Sequence, residues 1–208
     1  MEFIKGALQV VFFVVFIGAG LAAATIISNG LPMTDPPGLL TRALTYLNTN
    51  VAQTTQDSAF PELRMIRYQA PPALLSDVAR RAAEALGWEV TETNPQTHAV
   101  RAVVTTKLFG FQDDVFIRVY AARPSGSALY IHSSSRVGKG DLGTNTRHVM
   151  NLTEAVYQLA PPSSRIRDEE EWSLNEEPGL DATPEAGPQA EEGQGAEQNG
   201  QSTEEGES

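Results

Sequence analysis

An uncharged, apolar run near the N-terminus limits what this chain can fold into more than any other feature. No charged side chain lies between Lys5 and Asp35, and residues 6–27 read GALQVVFFVVFIGAGLAAATII. As a helix rising 1.5 Å per residue, this segment is about 33 Å long, which is enough to cross a hydrocarbon core of about 30 Å. The run therefore predicts a transmembrane anchor within residues 1–27.

A cleavable secretory signal is the alternative interpretation of the same segment. Lys5 precedes the apolar stretch, and residues 22–24 are alanines of the kind that a signal peptidase requires. The stretch is longer than the usual signal core of about 7 to 15 residues, which favours an uncleaved anchor. Because the positive charge lies on the short N-terminal side, we expect a single-pass protein of the inner (cytoplasmic) membrane whose C-terminal domain is periplasmic.

The acidic residues are concentrated at the other end of the chain. Residues 168–208 contain fourteen Asp and Glu and no Lys or Arg, whereas residues 1–167 carry a net charge of +3. Rich in Gly, Gln, Pro and Ala, this segment has few large apolar groups with which to offset the cost of ordering its backbone. It is predicted to be a disordered acidic tail, and its removal after Arg167 should leave the melting temperature within a few degrees.

Two further segments lie between the anchor and the tail. Residues 28–60 begin with Pro and Gly, pass through a weak helical pattern at residues 39–47 and end in a polar run, so they are predicted to be a linker that holds the domain off the bilayer. Residues 61–167 contain the periodic apolar patterns of a compact domain. That region is long enough to form a hydrophobic core of its own.

The predicted domain is α+β. Alternating or apolar runs predict strands, and stripes of apolar residues with helical spacing predict helices. The strands are expected at residues 63–68, 88–93, 98–109, 114–123 and 128–135, and the helices at residues 71–87 and 142–160. Strands joined by short turns pair antiparallel, and the two helices cover one face of the sheet. The sequence thus predicts an antiparallel sheet of about five strands in the order β-α-β-β-β-β-α, behind the transmembrane helix.

Two motifs in the compact region resemble a known family. The segment TTKLFGFQDDVFIRV, followed shortly by SSSRVGKGDLGTNTRHV, resembles the bacterial and plastid family catalogued as domain of unknown function 1499. The matching positions are Thr106, Gly110, Phe111, Asp113, Asp114, Arg118, Val119, Ser135, Arg136, Gly138, Asp141, Gly143, Asn145 and Arg147. The resemblance covers residues 61–160. Because the family is one of unknown function, the resemblance implies no activity.

The loop between the last predicted strand and the last predicted helix contains the candidate binding residues. Its glycines allow backbone amides to turn toward one point at a helix start, where anions are favoured. The residues that would bind an anion or a partner there are Arg136, Lys139, Asp141, Asn145 and Arg147. A structural role is the favoured alternative, in which Asp141 or Thr144 caps the helix and Arg136 pairs with Asp113 or Asp114.

A second set of polar residues is the candidate for catalysis. Asp113 and Asp114 are neighbours on a strand and point to opposite faces, so they cannot form a paired-carboxylate site with each other. A structural ion pair beside Lys107 or Arg118 is the simpler interpretation. Combined with Asp141, one of them would give a hydrolase-like or divalent-metal carboxylate cluster. A hydrolase or metal-dependent enzyme is therefore the alternative function.

The remaining composition favours a role without cofactors. His98, His132 and His148 lie in different elements without metal-ligand spacing, and the chain has no cysteine, so neither a metal site nor a cofactor is predicted. The small excess of positive charge in residues 1–167 argues against nucleic-acid binding. We expect a membrane-anchored, envelope-exposed, non-enzymatic binding or scaffold domain. Its partners would be the lipid bilayer, through residues 6–27, and an envelope or membrane protein.

Overall fold

A computed structural model of the chain describes residues 2–106, 110–165 and 172–175. Within these ranges the elements are α1 (Glu2–Ser28), α2 (Leu39–Asn48), β1 (Val51–Gln53), β2 (Ile66–Tyr68), α3 (Pro72–Ala85), β3 (Glu89–Asn94), β4 (Ala99–Thr105), β5 (Gln112–Arg123), β6 (Ser127–Ser135), α4 (Thr144–Leu159) and β7 (Ser173–Leu174). The predicted β-α-β-β-β-β-α order is confirmed as the run from β2 to α4. The fold is α+β with an antiparallel sheet behind an apolar N-terminal helix.

The sheet has the strand order β1-β6-β5-β4-β3, and every pairing is antiparallel. β2 also pairs with β6, at the other end of that strand from β1. Ile66 lies opposite Leu129, whereas Val51 lies opposite Ser134. One edge of the sheet is therefore built from two short strands that follow one another along β6.

One face of the sheet is covered by α3 and α4, as predicted. The alternation in β5 places Val115, Ile117 and Val119 in the core beneath these helices. From the helices, Leu75 of α3 and Leu152 of α4 enter the same core, and both are fully buried. α3 begins with Pro72 at its first turn, where the missing N–H of proline costs nothing. This core fixes the position of α4 and of the loop that precedes it.

The opposite face of the sheet has a smaller apolar cluster that contains Phe116, Tyr120 and Tyr130. Leu174 of β7 is buried in this cluster, and Trp172 packs beside it. Residues 172–175 were predicted to belong to the disordered tail, but β7 pairs with β5. The physical reason is that aromatic residues on the outer face of β5 and β6 provide an apolar surface for two of the few large apolar side chains of that segment. The rest of the predicted tail lies outside the described residues. Lys107, considered above as an ion-pair partner for the aspartates of β5, lies outside them as well.

The segment predicted to be a linker also differs from the prediction, because part of it belongs to the domain. β1 pairs with β6, and Arg42 and Tyr46 of α2 are buried, with exposed fractions of 0% and 2%. Arg42 donates to both carboxylate oxygens of Glu62 and to the hydroxyl of Tyr46. A buried charge is tolerated when it is paired and hydrogen-bonded in this way. The lone charged residue of α2 thus attaches the helix to the domain.

The C-terminal end of α1 packs directly on the domain. The span Ile4–Ser28 is long and apolar enough to cross a membrane, and most of its side chains are exposed. At its end, Ile26 forms a buried cluster with Leu31 and Tyr46. The side-chain amide of Asn29 also donates to the carbonyl oxygen of Leu142, at 3.0 Å. These contacts hold the end of α1 against α2 and the start of α4.

Candidate functional site

The loop between β6 and α4 is shaped by Asp141, which caps the helix. Its carboxylate accepts hydrogen bonds from the backbone N–H groups of Gly143, at 2.9 Å, and Asn145, at 2.6 Å. Gly143, the N-cap residue, has φ +83° in the left-handed region, and a Cβ there would also meet the side chain of Leu31. Asp141 therefore satisfies amides that would otherwise lack partners at the helix start.

Arg136 lies on the same loop and is tied to β5. Its Nε and Nη2 donate to the two carboxylate oxygens of Asp114, at 2.9 and 2.7 Å, and its Nη1 donates to Gln112. Both charged side chains are partly exposed. The hydrogen bonds from Arg136 to Asp114 also raise the pKa of Arg136. This bidentate pair is one of the two that the structural interpretation of the loop allowed, with Asp114 as the partner.

Asn145 is fully buried and holds three segments together. Its side-chain amide nitrogen donates to the carbonyl oxygen of Asn50, at 2.7 Å, and to the hydroxyl of Ser135, at 2.9 Å. Its carbonyl oxygen accepts from the hydroxyl of Ser133, at 2.6 Å. The side chain therefore joins α4 to β6 and to the residue before β1. As a fully buried side chain it is not placed to contact a ligand in solvent.

The two remaining candidates on the loop have more open surroundings. Lys139 is exposed, and Arg147 is half-buried beside Gly30, whose added Cβ would lie 3.7 Å from Nη1 of Arg147. Gly30 follows the end of α1. The structure therefore brings Arg147 to the junction between the apolar helix and the domain.

Asp113 faces the helix layer, on the opposite side of β5 from Asp114. Its exposed fraction is 2%, and burial raises the pKa of its carboxyl group, while a hydrogen bond from Ser135 opposes this change. Oδ2 of Asp113 lies 3.6 Å from Nε2 of His148. Burial lowers the pKa of His148 to about 4, so the imidazole is neutral at pH 7 and the contact is not an ion pair. The ring of His148 also packs against Trp88, with centroids 5.7 Å apart.

The sequence interpretation did not join Asp113 to His148. The three histidines lie in different elements without metal-ligand spacing, so spacing alone gives His148 no partner. The signal that could have placed it was helical periodicity, since His148 precedes the core residue Leu152 by four positions and so lies on the buried stripe of α4. Its contact with β5 is set by packing between distant segments.

The geometry of these groups matches neither a Ser-His-Asp triad nor the carboxylate cluster of the alternative function. In a Ser-His-Asp triad the histidine bridges the serine and the aspartate, but here Ser135 bonds directly to Asp113, and among the described residues Nδ1 of His148 has no hydrogen-bond partner. Asp114 and Asp141 are each engaged elsewhere. Within the described ranges, no group of three or more His, Asp or Glu side chains is arranged to hold a metal ion.

Arg118 is separated from this cluster because it lies on the outer face of the sheet. Its guanidinium is 4.8 Å from the centroid of the Tyr120 ring. Arg101 stacks in the same way over Phe116, at 4.9 Å. Arg118 thus contributes to a cation–aromatic surface, and Asp114 has Arg136 as its cationic partner.

The comparison with known families covers the elements just described. The family model described as "Protein of unknown function (DUF1499)" matches residues 40–156, from the start of α2 to the last turns of α4. This match begins before residues 61–160, where the resemblance was expected, and it includes α2 and β1. No curated protein matches the chain. Because the family model covers more than half of the 208 residues, the chain belongs to the DUF1499 family of proteins of unknown function.

Proposed function

We propose that the chain is a membrane-anchored, envelope-exposed domain that binds or scaffolds a partner and is not an enzyme. The observation that carries this proposal is the packing of α1. A helix with the length and apolarity of a membrane span ends in a buried cluster with Leu31 and Tyr46 of the domain. A domain attached in this way would be held at one place on the membrane surface, which suits a binding or scaffold role.

The polar residues of the loop support the non-enzymatic part of the proposal. Asp141 is used as a helix cap, Asp114 pairs with Arg136, and Asp113 is buried beside Ser135. A catalytic carboxylate has to reach the substrate or an activated water. Each of these three side chains is instead committed to a contact within the fold. The exposed Lys139 and the half-buried Arg147 remain as proposed contacts for an anionic group of a partner.

The proposed location is the inner (cytoplasmic) membrane with a cytoplasmic N-terminus. Lys5 lies near the start of α1, on the N-terminal side of the apolar run, and basic residues are retained on the cytoplasmic side. The domain would then lie in the periplasm. The proposed partners are the bilayer around α1 and a second protein of the envelope or membrane.

The absence of cysteine from the chain allows a direct test of this topology. In a Gram-negative host, Leu159→Cys on α4 should react with a membrane-impermeant maleimide once the outer membrane is opened. Glu2→Cys should react only after the inner membrane is lysed, and losing an acidic residue there has little effect on orientation. Alkaline carbonate extraction should leave the protein in the membrane pellet with its N-terminal residues intact. Recovery in the soluble fraction with a start near residue 25 would show cleavage and contradict the anchor.

Enzymatic activity is tested with the purified full-length protein in detergent. We expect no turnover of esters, phosphates or glycosides in the presence of Mg²⁺, Mn²⁺ or Zn²⁺. Asp113→Asn and Asp141→Asn are the informative variants, because Asp141 caps α4 and Asp113 contacts His148 of α4. Turnover in the parent that either substitution abolishes, while the protein stays folded, would establish the alternative hydrolase function.

A further inference from the structure

α2 exposes a stripe of leucine side chains. Leu40, Leu44 and Leu47 follow one another at intervals of four and three residues, which places them on one face of the helix. Their exposed fractions are 74%, 52% and 47%. Leu39, before the stripe, and Val51, after it, are exposed as well. A contiguous apolar patch of this kind on a folded domain marks a surface that binds protein or lipid.

The opposite face of α2 fixes the direction of this leucine stripe. Arg42 is fully buried and donates to Glu62, to the hydroxyl of Tyr46 and to the backbone carbonyl oxygens of Asp35 and Pro36. Tyr46, one turn later, is buried with Phe60. Rotating the helix to hide the leucines would expose the tyrosine and break the bonds of a buried charge, so the stripe stays outward.

α2 also lies at the end of the apolar helix. Tyr46 shares a buried cluster with Ile26, which is in the last turn of α1, and with Leu31. Ile27, the next residue of α1, is 74% exposed and extends the apolar surface of that helix to its end. If α1 crosses a bilayer, the surface of that bilayer would therefore lie close to α2.

The charge of this region is suited to a lipid surface. From residue 36 to residue 56 the only charged side chain is Arg42, which is buried. The exposed polar residues of α2 include Thr41 and Asn48, which can remain in the headgroup layer. Arg147 lies beside Gly30, close to the end of α1, where a cation can meet lipid phosphates. A helix with one apolar face and one attached face can lie in the plane of the interface.

We propose that α2 lies in the interface of the bilayer that α1 crosses, with Leu40, Leu44 and Leu47 inserted among the lipid chains. This inference rests on the membrane anchoring proposed above. The domain then has two contacts with the bilayer, one that crosses it and one that lies on it. Two contacts fix both the height of the domain and its rotation about α1, so that the same surface always faces a partner.

The test uses single nitroxide spin labels on the full-length protein in nanodiscs of phosphatidylethanolamine and phosphatidylglycerol. Leu40→Cys, Leu44→Cys and Leu47→Cys provide the labels on α2, and each replaces an exposed side chain. Collision with oxygen, which concentrates in lipid, is compared with collision with a water-soluble nickel chelate. We expect all three labels to collide with nickel several-fold less often than the label at Leu159→Cys, which replaces an exposed leucine at the far end of α4.

Val14→Cys, in the middle of α1, reports separately on the anchor. If its label is in lipid while the α2 labels collide freely with nickel, the interfacial position of α2 is wrong and the anchor stands. If the Val14 label also collides freely with nickel, both proposals are wrong. Spin–spin broadening between Leu44 labels on neighbouring molecules would show that a second copy of the chain covers the stripe, and it would overturn the lipid contact.

Discussion

Single residues in the loop before α4 use their charges within the fold. Asp141 accepts two backbone hydrogen bonds at the helix start, and Arg136 makes a bidentate pair with Asp114. A cap involves only neighbouring residues, whereas the Arg136 pair joins the end of β6 to the start of β5. The loop is therefore held from both sides. These contacts give a glycine-rich segment a defined shape.

Asp141→Ala tests the capping role. Removing the carboxylate leaves the amides of Gly143 and Asn145 without their acceptor, so the free energy of unfolding should fall by about 0.5 to 2 kcal/mol. Urea unfolding followed by tryptophan fluorescence in detergent measures this change. Lys139→Ala, at an exposed position of the same loop, is the matched control and should be neutral. A melting temperature of the parent that rises with millimolar phosphate, and no longer does so in Lys139→Ala, would instead favour anion binding.

The buried histidine gives the stability a dependence on pH. The pKa of His148 is about 4 in the fold and about 6.5 in an unfolded chain, so only the unfolded state gains a proton between these values. Stability should be complete above about pH 6.5 and fall by up to about 3 kcal/mol as the pH drops to 4. Asp113 has the opposite effect on stability at the acid end of this range. Burial raises the pKa of its carboxyl group, so the folded state takes up this proton at a higher pH than the unfolded state does.

His148→Phe should reduce this slope while keeping a ring against Trp88. Urea unfolding of the parent and the variant at several pH values between 7.5 and 4.5 measures the difference. Part of the slope should remain, because burial also lowers the pKa of His132. Leu159→Ala, at an exposed position of α4 that carries no titratable group, is the control and should leave the slope intact. An unchanged slope in His148→Phe would show that His148 is not the responsible group.

At the level of elements, the helices and strands that local periodicity determines could be predicted from the sequence. The strands from β3 to β6 and the helices α3 and α4 lie within a few residues of their predicted positions, because each has several apolar residues at one spacing. β1 and β7 are shorter and exist through pairing with β6 and β5. α2 was found as a weak helix, but its attachment depends on Glu62, which lies 20 residues after Arg42.

The same distinction applies to the candidate site. The cap at Asp141 was predictable because the residue and its two amides are within four positions. The opposite directions of Asp113 and Asp114 followed from strand geometry. The contact between Asp113 and His148 and the burial of Asn145 could not be predicted, because they depend on how α4 packs on the sheet.

β7 is the element whose contribution is most easily measured. Leu174 is buried against the outer face of the sheet with Trp172, and the backbone N–H of Asn175 donates to Ala121. Leu174→Ala should lower the free energy of unfolding by about 1.5 to 3 kcal/mol, the range for burying such a side chain. Chain termination after Asn175, which keeps β7, should leave the melting temperature within a few degrees of the parent value. If the chain terminated after Asn175 lost as much stability as Leu174→Ala does, residues beyond 175 would stabilise the fold.

At the scale of the whole molecule, the contact between α1 and the domain decides how the protein is organised. A flexible linker would let the domain sample many orientations over the membrane. The buried cluster of Ile26, Leu31 and Tyr46 and the hydrogen bond from Asn29 to Leu142 replace that linker with packed contacts. In the proposed scaffold role, these contacts would present the same face of the domain to a partner.

The rigidity of that connection can be measured as a distance between spin labels. With labels at Val10→Cys in α1 and Leu159→Cys in α4, double electron–electron resonance in nanodiscs should give a narrow distance distribution. Ile26→Ala combined with Leu31→Ala should broaden it, because each buried side chain contributes about 1.5 to 3 kcal/mol to the contact. The pair Leu74→Cys and Leu159→Cys, both within the domain, should stay narrow in either background. A broad Val10–Leu159 distribution in the parent would mean that the domain moves freely on its anchor, because the docked contacts are then too weak to orient it.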